Sequence, residues 1–162
     1  MFSPSILNHA KILLENARRE GYRIATAESC TGGLIAGALT AIPGSSDVID
    51  RGFIVYSNQA KTDLLGVPQE LIAEYGAVSE EVACAMAEGA RSNSGVELAV
   101  SCTGIAGPGG GSAEKPVGLV HIAAARAEQT TLHLQCHFGD IGRDEIRLRS
   151  VEEALKLLLQ IL

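Results

Sequence analysis

Ser29 stands in a sequence setting that suits a nucleophile. It belongs to the segment AESCTGG at 27–33, which follows a strand-like run and opens an apolar segment with two glycines at the turn. A turn of this kind presents a hydroxyl beside the N-terminus of a helix. Free backbone N–H groups and a partial positive charge at that terminus suit a phosphate, a carboxylate or a developing oxyanion. The segment therefore indicates a site that attacks a carbonyl or binds an anion.

Lys61 is a candidate base, because it follows a hydrophobic run and precedes Leu64 and Leu65. A lysine normally holds its proton, and burial or a second cation must lower its pKa before the amine accepts one. The neighbouring leucines are compatible with burial. The alternative is a solvated lysine on a short helix, which is the more common situation for this residue type.

Cys30 is an alternative nucleophile, because a thiolate near a helix N-terminus is acidified and reactive. Adjacent residues at a turn point in different directions, so Ser29 and Cys30 compete for the role. The cysteines of the chain are widely spaced and form no C-x-x-C pair, which argues against a zinc site or a redox motif. Small buried thiols are the simpler interpretation. The four cysteines are Cys30, Cys84, Cys102 and Cys136.

The glycine-rich segment TGIAGPGGGS at 103–112 matches none of the common nucleotide loops. It lacks the Gly-Lys-Ser/Thr end of a P-loop, and no G-x-G-x-x-G follows the first strand, so neither ATP nor NAD binding is predicted. His133 and His137 lie in a strand-like run, where residues four apart are about 13 Å from each other and do not share a metal ion. We therefore expect chemistry with no metal and no cofactor.

Alternating strand and helix patterns predict the elements that position these residues. Ser3-Pro4 precedes a helical pattern over 5–19, and Gly21 ends it. Strands are predicted at 23–27, 52–57, 98–102, 118–125 and 131–138. Further helices are predicted at 34–41, 60–65, 69–74, 79–92 and 144–162, the last with an apolar stripe that we interpret as core. The fold class is therefore α/β: a single-domain three-layer sandwich with a mixed, partly parallel sheet flanked by helices and a hairpin around 127–129.

Size and charge limit the possible partners. The 162 residues fit one domain, 1–162, and 46% hydrophobic residues supply a sizeable core. A formal net charge of −6 argues against a nucleic-acid surface, since phosphate backbones are held by clustered lysines and arginines. No apolar run reaches the roughly 20 residues needed to span a bilayer, and the N-terminus lacks the order of a secretory signal. We expect no membrane association and a cytoplasmic location.

Five segments together resemble the competence-damage-inducible protein family, which is defined by the CinA C-terminal domain. The match runs in register from about residue 5 to the last helix, and the combined motifs are specific although each alone is weak. The segments are AESCTGG at 27–33, RGFIVYSNQAK at 51–61, GAVSEEVA at 76–83, TGIAGPGGGS at 103–112 and EKPVGLV at 114–120.

The resemblance implies an activity, because stand-alone members of this family are nicotinamide mononucleotide deamidases. It implies Ser29 as the nucleophile, Lys61 as the base and Tyr56 beside them, relaying a proton or orienting the lysine. An arginine of the family matches Arg143 before the last helix, with Arg147 as the alternative, and its planar fork suits a phosphate. The remaining substrate-binding residues that the resemblance implies are Thr31, Gly32, Gly33, Thr103 and Gly104.

The interpretation predicts an acyl-enzyme mechanism on a small pyridine nucleotide. Ser29 would attack the carboxamide carbon, Lys61 would accept the hydroxyl proton and return it to departing ammonia, and water would cleave the ester. Backbone N–H groups near 31–33 are expected to hold the oxyanion. A non-catalytic nucleotide- or phosphate-binding module is the alternative, because every feature except the serine–lysine pairing serves binding equally well. A two-fold homodimer is expected from the resemblance and from the frequency of such dimers.

Overall fold

Six helices and five strands alternate along most of the chain. The computed structural model describes all residues from Met1 to Leu162. The strands are β1 (Ile24–Glu28), β2 (Ile49–Ile54), β3 (Leu98–Gly104), β4 (Leu119–Arg126) and β5 (Leu132–His137). The helices are α1 (Pro4–Glu20), α2 (Leu34–Thr40), α3 (Asn58–Leu65), α4 (Gln69–Tyr75), α5 (Glu80–Ser94) and α6 (Arg143–Ile161). The length and hydropathy that a bilayer-crossing helix requires are met by none of them.

The strands form one mixed sheet in the order β2-β1-β3-β4-β5. β1 is parallel to both β2 and β3, whereas β4 is antiparallel to β3 and to β5. The predicted hairpin is confirmed as the β4–β5 connection. The carboxyl ends of the three parallel strands lie at one edge of the sheet, and the segments that follow them meet there, which is the usual place for a site in such sheets.

Helices cover both faces of the sheet, which confirms the predicted three-layer α/β sandwich. Alternate residues of β3 enter different cores: Leu98 and Val100 join the core beneath α1, α2 and α6, and Ala99 joins the core beneath α3, α4 and α5. The predicted apolar stripe of α6 is buried in the first of these cores. The second core holds α3, the helix that carries Lys61.

The signals at the ends of α1 act as the sequence predicts. The Ser3 hydroxyl accepts the N–H of Ile6 at 3.2 Å, and Pro4 occupies the first helical position. Gly21 ends the helix in a left-handed conformation with φ of 72°, which an L side chain rarely adopts.

One predicted strand is displaced along the chain. The sequence predicts a strand at 52–57, whereas β2 runs from Ile49 to Ile54. β2 is an edge strand and carries Asp50 and Arg51, so its first half lacks the apolar character used to find it. Ser57 lies outside the strand because its hydroxyl caps α3, accepting the N–H of Ala60 at 3.0 Å.

A close helix contact fixes the position of α3. A Cβ on Gly89 in α5 would lie 2.0 Å from the carbonyl oxygen of Leu65, the last residue of α3. No side chain fits that distance, so glycine is required for α5 to approach the end of α3. The contact holds the helix that carries Lys61 against α5.

Candidate active site

Ser29 lies directly beyond β1, at the edge of the sheet where the parallel strands end. Its N–H donates to the carbonyl of Cys102 in β3 at 2.9 Å, which ties the residue to the neighbouring strand. The residue is 9% exposed. Its hydroxyl is therefore held on a rigid backbone with a narrow opening to solvent.

Lys61 reaches Ser29 from the first half of α3. Its Nζ lies 3.1 Å from Ser29 Oγ, 2.9 Å from the carbonyl oxygen of Val55 and 3.4 Å from that of Tyr56. The residue is 1% exposed, which confirms the burial that the sequence only suggested. Burial lowers the pKa of Lys61, and the thiol of Cys30 opposes the shift to a smaller extent. No carboxylate pairs with this amine, so its charged form lacks the usual compensation.

Glu28 is a functional candidate that the sequence analysis missed. Its carboxylate is buried and accepts backbone N–H groups at the start of α2, from Gly33 and Ile35 at 3.0 Å and from Ala36 at 2.9 Å. The hydroxyl of Thr26 donates to the same carboxylate at 3.1 Å. Through these hydrogen bonds the carboxylate fixes the turn between Ser29 and the start of α2. The signal available in the sequence was an acidic residue that ends a run of small buried residues just ahead of a glycine pair.

The capping by Glu28 limits which amides are free to hold an oxyanion. The N–H of Gly33 donates to Glu28, and the N–H of Gly32 donates to the carbonyl of Ser29 at 3.1 Å. These two amides, expected from the sequence to serve the oxyanion, are therefore already occupied. The amides of Cys30 and Thr31 donate to no other residue. The Thr31 hydroxyl is buried without a partner.

Two arginines one turn apart on α6 make different contacts. Arg147 donates from Nε to the carbonyl of Cys30 at 3.1 Å and from Nη2 to that of Thr31 at 3.2 Å. Arg143 donates from Nη1 to the carbonyl of Gly107 at 2.7 Å and from Nη2 to the Tyr56 hydroxyl at 3.2 Å. Arg147 thus supports the turn after Ser29, while the exposed Arg143 joins the glycine-rich loop to Tyr56. Of the two, Arg143 is the more accessible to an anion.

Tyr56 presents different groups to the two sides of the site. Its backbone carbonyl accepts from Lys61, but its phenol oxygen contacts Arg143, and the residue is 60% exposed. The phenol makes no hydrogen bond to Ser29 or Lys61. The structure therefore places the side chain beside the arginine rather than beside the amine.

Thr103 and Gly104 end β3 on the same edge of the sheet. The hydroxyl of Thr103 donates to the carbonyl of Ala77 at 2.8 Å, and the residue is buried. A Cβ on Gly104 would lie 2.7 Å from Cγ2 of Val120 and 2.9 Å from the carbonyl oxygen of Leu119. Glycine is needed here so that β4 approaches closely. Thr103 is thus tied to the segment between α4 and α5, and Gly104 lies against β4.

The geometry separates the two candidate nucleophiles. Sγ of Cys30 lies 3.7 Å from Sγ of Cys102, and both thiols are buried and free. The thiol of Cys30 therefore points into the core, whereas the hydroxyl of Ser29 meets the amine of Lys61. Groups of three or more side chains arranged to hold a metal ion are absent.

Comparisons with known proteins agree with this architecture. A model of the CinA C-terminal domain matches residues 7–162. A CinA-like protein of Syntrophobacter fumaroxidans is 52% identical over 152 residues, which cover 94% of this chain and 35% of that protein. A putative competence-damage inducible protein of Caldicellulosiruptor bescii is 53% identical over 86% of this chain and 33% of its own length. The chain thus spans about a third of the length of these curated relatives.

Solved structures show the same fold. The crystal structure of a competence/damage inducible protein, CihA, from Agrobacterium tumefaciens matches with a TM-score of 0.98 at 52% identity, covering 99% of this chain and 98% of that one. A competence-damaged protein (CinA) superfamily protein from Escherichia coli matches with a TM-score of 0.92 at 34% identity, covering 100% and 94%. The sequence likeness therefore extends to the whole three-layer architecture.

Proposed function

The chain belongs to the family of CinA C-terminal domains, and on that premise we propose that it hydrolyses the carboxamide of nicotinamide mononucleotide to nicotinate mononucleotide and ammonia. The observation that carries the proposal is the 3.1 Å contact between Ser29 Oγ and a buried Lys61 Nζ that has no carboxylate partner. The choice of substrate rests on the resemblance of the motifs to deamidases of this family.

The surroundings of Lys61 favour its neutral form. A neutral amine has two N–H donors and one lone pair, and two backbone carbonyls, those of Val55 and Tyr56, lie within 2.9 and 3.4 Å of Nζ. With both N–H groups directed at the carbonyls, the lone pair faces the hydroxyl of Ser29. The hydroxyl then donates to the amine, which is the arrangement that general-base activation needs.

The proposed reaction proceeds through an ester on Ser29. Oγ attacks the carboxamide carbon while its proton passes to Nζ of Lys61, and the amides of Cys30 and Thr31 receive the oxyanion. The bond between carbon and nitrogen then breaks, and Lys61 returns the proton to the leaving nitrogen, which departs as ammonia. Water attacks the ester, Lys61 takes its proton, and the serine oxygen regains a proton as the carboxylate product leaves.

Recognition of the substrate's phosphate is assigned to Arg143. Its guanidinium lies at the solvent side of the site between the Gly107 carbonyl and the Tyr56 hydroxyl. A planar guanidinium binds a phosphate through paired N–H donors. Neither a metal nor a cofactor has a step in this mechanism. We further propose a cytoplasmic homodimer as the working form.

The test is ammonia release from the mononucleotide. Purified protein is expected to release ammonia and nicotinate mononucleotide, and Ser29→Ala is expected to abolish both. Ser92→Ala, which alters an exposed serine at the end of α5, serves as the matched control and should retain full activity. Undiminished release from Ser29→Ala would reject the serine mechanism.

A binding-only module is the competing function. Arg143 and the glycine-rich loop would serve binding without any turnover. In that case the mononucleotide raises the melting temperature of the protein while no ammonia appears. Because the chain spans about a third of its curated relatives, the same assay on a longer relative tests whether turnover needs the remaining part.

A further inference from the structure

Two thiols contact each other directly behind the proposed nucleophile. Cys30 follows Ser29 in the chain, and Cys102 accepts the Ser29 N–H through its carbonyl at 2.9 Å. The sulfur atoms are 3.7 Å apart and both are reduced. We propose that Cys30 and Cys102 form a peroxide-sensitive modification site, in which a reversible disulfide displaces Ser29 and stops its chemistry. The effect on hydrolysis rests on the proposed function, whereas formation of the disulfide does not.

The backbone already brings the two thiols close to bonding position. β1 and β3 are hydrogen-bonded neighbours, and Glu28 pairs with Cys102, so Cys30 lies two residues beyond a fixed register point. A disulfide requires a sulfur–sulfur distance of about 2.05 Å, so the thiols must approach by about 1.7 Å. That movement is small for side-chain rotation combined with a shift of the turn at 29–33.

The electrostatic setting distinguishes the attacking thiol from the resolving one. The hydrogen bond between the two thiols lowers the pKa of Cys30, burial and the charge of Glu28 oppose that shift, and the charge of Arg147 adds to it. The pKa of Cys102 is raised, first by that hydrogen bond and then by burial. Cys30 is 6% exposed and Cys102 is fully buried, so peroxide reaches Cys30 first and Cys102 then acts as the resolving thiol.

The chemistry balances with hydrogen peroxide as the oxidant. Cys30 releases its proton to form the thiolate, the thiolate attacks one peroxide oxygen, the oxygen–oxygen bond breaks, and the departing hydroxide takes up the released proton and leaves as water. Cys30 is then a sulfenic acid. The sulfur of Cys102 attacks the sulfur of Cys30, the sulfur–oxygen bond breaks, and the hydroxyl leaves with the Cys102 proton as a second water. Two thiols are oxidised by two electrons and one peroxide is reduced.

Closure of the disulfide acts on Ser29 through two connections. The carbonyl of Cys30 is held by Arg147 at 3.1 Å, and the amide of Ser29 is held by Cys102. When Cys30 moves toward β3, at least one of these contacts has to change, and the hydroxyl of Ser29 leaves its 3.1 Å position beside Lys61. Reduction of the disulfide restores the original contact.

The other two cysteines provide internal controls. Burial raises the pKa of Cys84 to about 11, and burial likewise raises the pKa of Cys136 to about 11. Neither makes a thiol–thiol contact. Both are expected to stay reduced under peroxide treatment that oxidises the first pair.

The experiment treats the full chain with hydrogen peroxide, blocks remaining thiols by alkylation under denaturing conditions and maps the peptides by mass spectrometry. We expect a linked peptide pair joining residues 30 and 102, a mass lower by two hydrogen atoms, and alkylated Cys84 and Cys136. Dithiothreitol should restore both thiols. Linkage elsewhere, or four alkylatable cysteines after treatment, would overturn the proposal.

Activity and variants separate the modification from its consequence. Ammonia release should fall at least tenfold on oxidation and recover with dithiothreitol, both in the wild type and in Cys84→Ala. Cys102→Ala removes the resolving thiol, so Cys30 in this variant can reach only the sulfenic acid or higher oxidation states, and no linked peptide should form. A loss of ammonia release in Cys102→Ala that equals the loss in the wild type would contradict the proposed switch, because that loss would not require the disulfide. If the wild type releases no ammonia at all, the peptide map still decides whether the disulfide forms, so failure of the proposed function is distinguishable from failure of this one.

Discussion

The site has an inner and an outer part that differ in their relation to solvent. The inner pair, Ser29 and Lys61, is almost fully buried, and its contacts run to backbone carbonyls at the ends of strands. The outer pair, Tyr56 and Arg143, is exposed and is joined to the glycine-rich loop through the Gly107 carbonyl. The two parts meet at Tyr56, whose carbonyl belongs to the first and whose phenol belongs to the second.

Because of this difference in burial, the two parts have different roles in the proposed reaction. Burial disfavours a charged amine, so it lowers the pKa of Lys61 and prepares the inner pair for proton transfer. The guanidinium of Arg143 stays charged in solvent, where screening weakens each contact, so it suits attraction and positioning of an anion. Substitutions should therefore affect turnover inside and substrate affinity outside.

The largest effect is expected from Lys61→Met, which keeps the buried length of the side chain and removes the amine. Without its base, Ser29 loses general-base activation, so kcat should fall on the order of 10²- to 10⁴-fold. KM should change little, because Arg143 is intact. Steady-state ammonia release measures both constants. Lys11→Met, at an exposed lysine on α1, is the matched control.

The pH profile of the wild type provides a second measurement on the same residue. Burial lowers the pKa of Lys61, so the amine is neutral from a lower pH than an ordinary lysine. Turnover should therefore fall as the pH drops through that lowered pKa, because the protonated amine accepts no proton. A kcat that stays constant down through the acid range would contradict the role of Lys61 as base.

Glu28→Gln should produce the next largest effect, on both stability and turnover. Each carboxylate oxygen accepts two hydrogen bonds, whereas the amide NH₂ of glutamine would face backbone N–H donors at the start of α2. The unsatisfied donors should lower the free energy of unfolding by about 2 kcal/mol. Urea denaturation measures this, and Glu70→Gln at an exposed position is the control. Unchanged stability would show that the turn after Ser29 is held by other contacts.

The fold was largely predictable because its signals are local. Ser3, Gly21 and the apolar stripe of α6 mark their elements through capping, backbone conformation and periodicity. The first half of β2 was not predicted, since an edge strand needs little apolar character. The mixed sheet followed from the alternation of strands and helices with one closing hairpin.

The site was predictable only in part, because its contacts link residues that are distant in sequence. The motifs placed Ser29 and Lys61 as candidates, but the burial of the amine depends on how α5 packs on α3 through Gly89. The capping by Glu28 was not visible from its position in a strand. The different partners of Arg143 and Arg147 depend on how α6 lies across the turn, which sequence spacing alone does not fix.

Arg143→Ala should affect the outer part and leave the inner part intact. Loss of a charged donor to the substrate's phosphate should raise KM about 10- to 100-fold with kcat nearly unchanged. Arg149→Ala, which alters an exposed arginine on the same helix, is the control and should behave like the wild type. A drop in kcat without a change in KM would show that Arg143 acts on the reacting groups. It would contradict the proposed separation between an inner part for turnover and an outer part for substrate affinity.

Tyr56→Phe should give the smallest effect, because the change removes only the phenol oxygen. That oxygen contacts Arg143 at 3.2 Å, while the carbonyl that accepts from Lys61 is retained in phenylalanine. KM should rise less than about threefold, as expected for an exposed hydrogen bond, and kcat should stay the same. If kcat instead falls as far as in Lys61→Met, the phenol takes part in proton transfer. The side chain would then turn inward when substrate binds, and the boundary between the two parts would lie at Arg143 rather than within Tyr56.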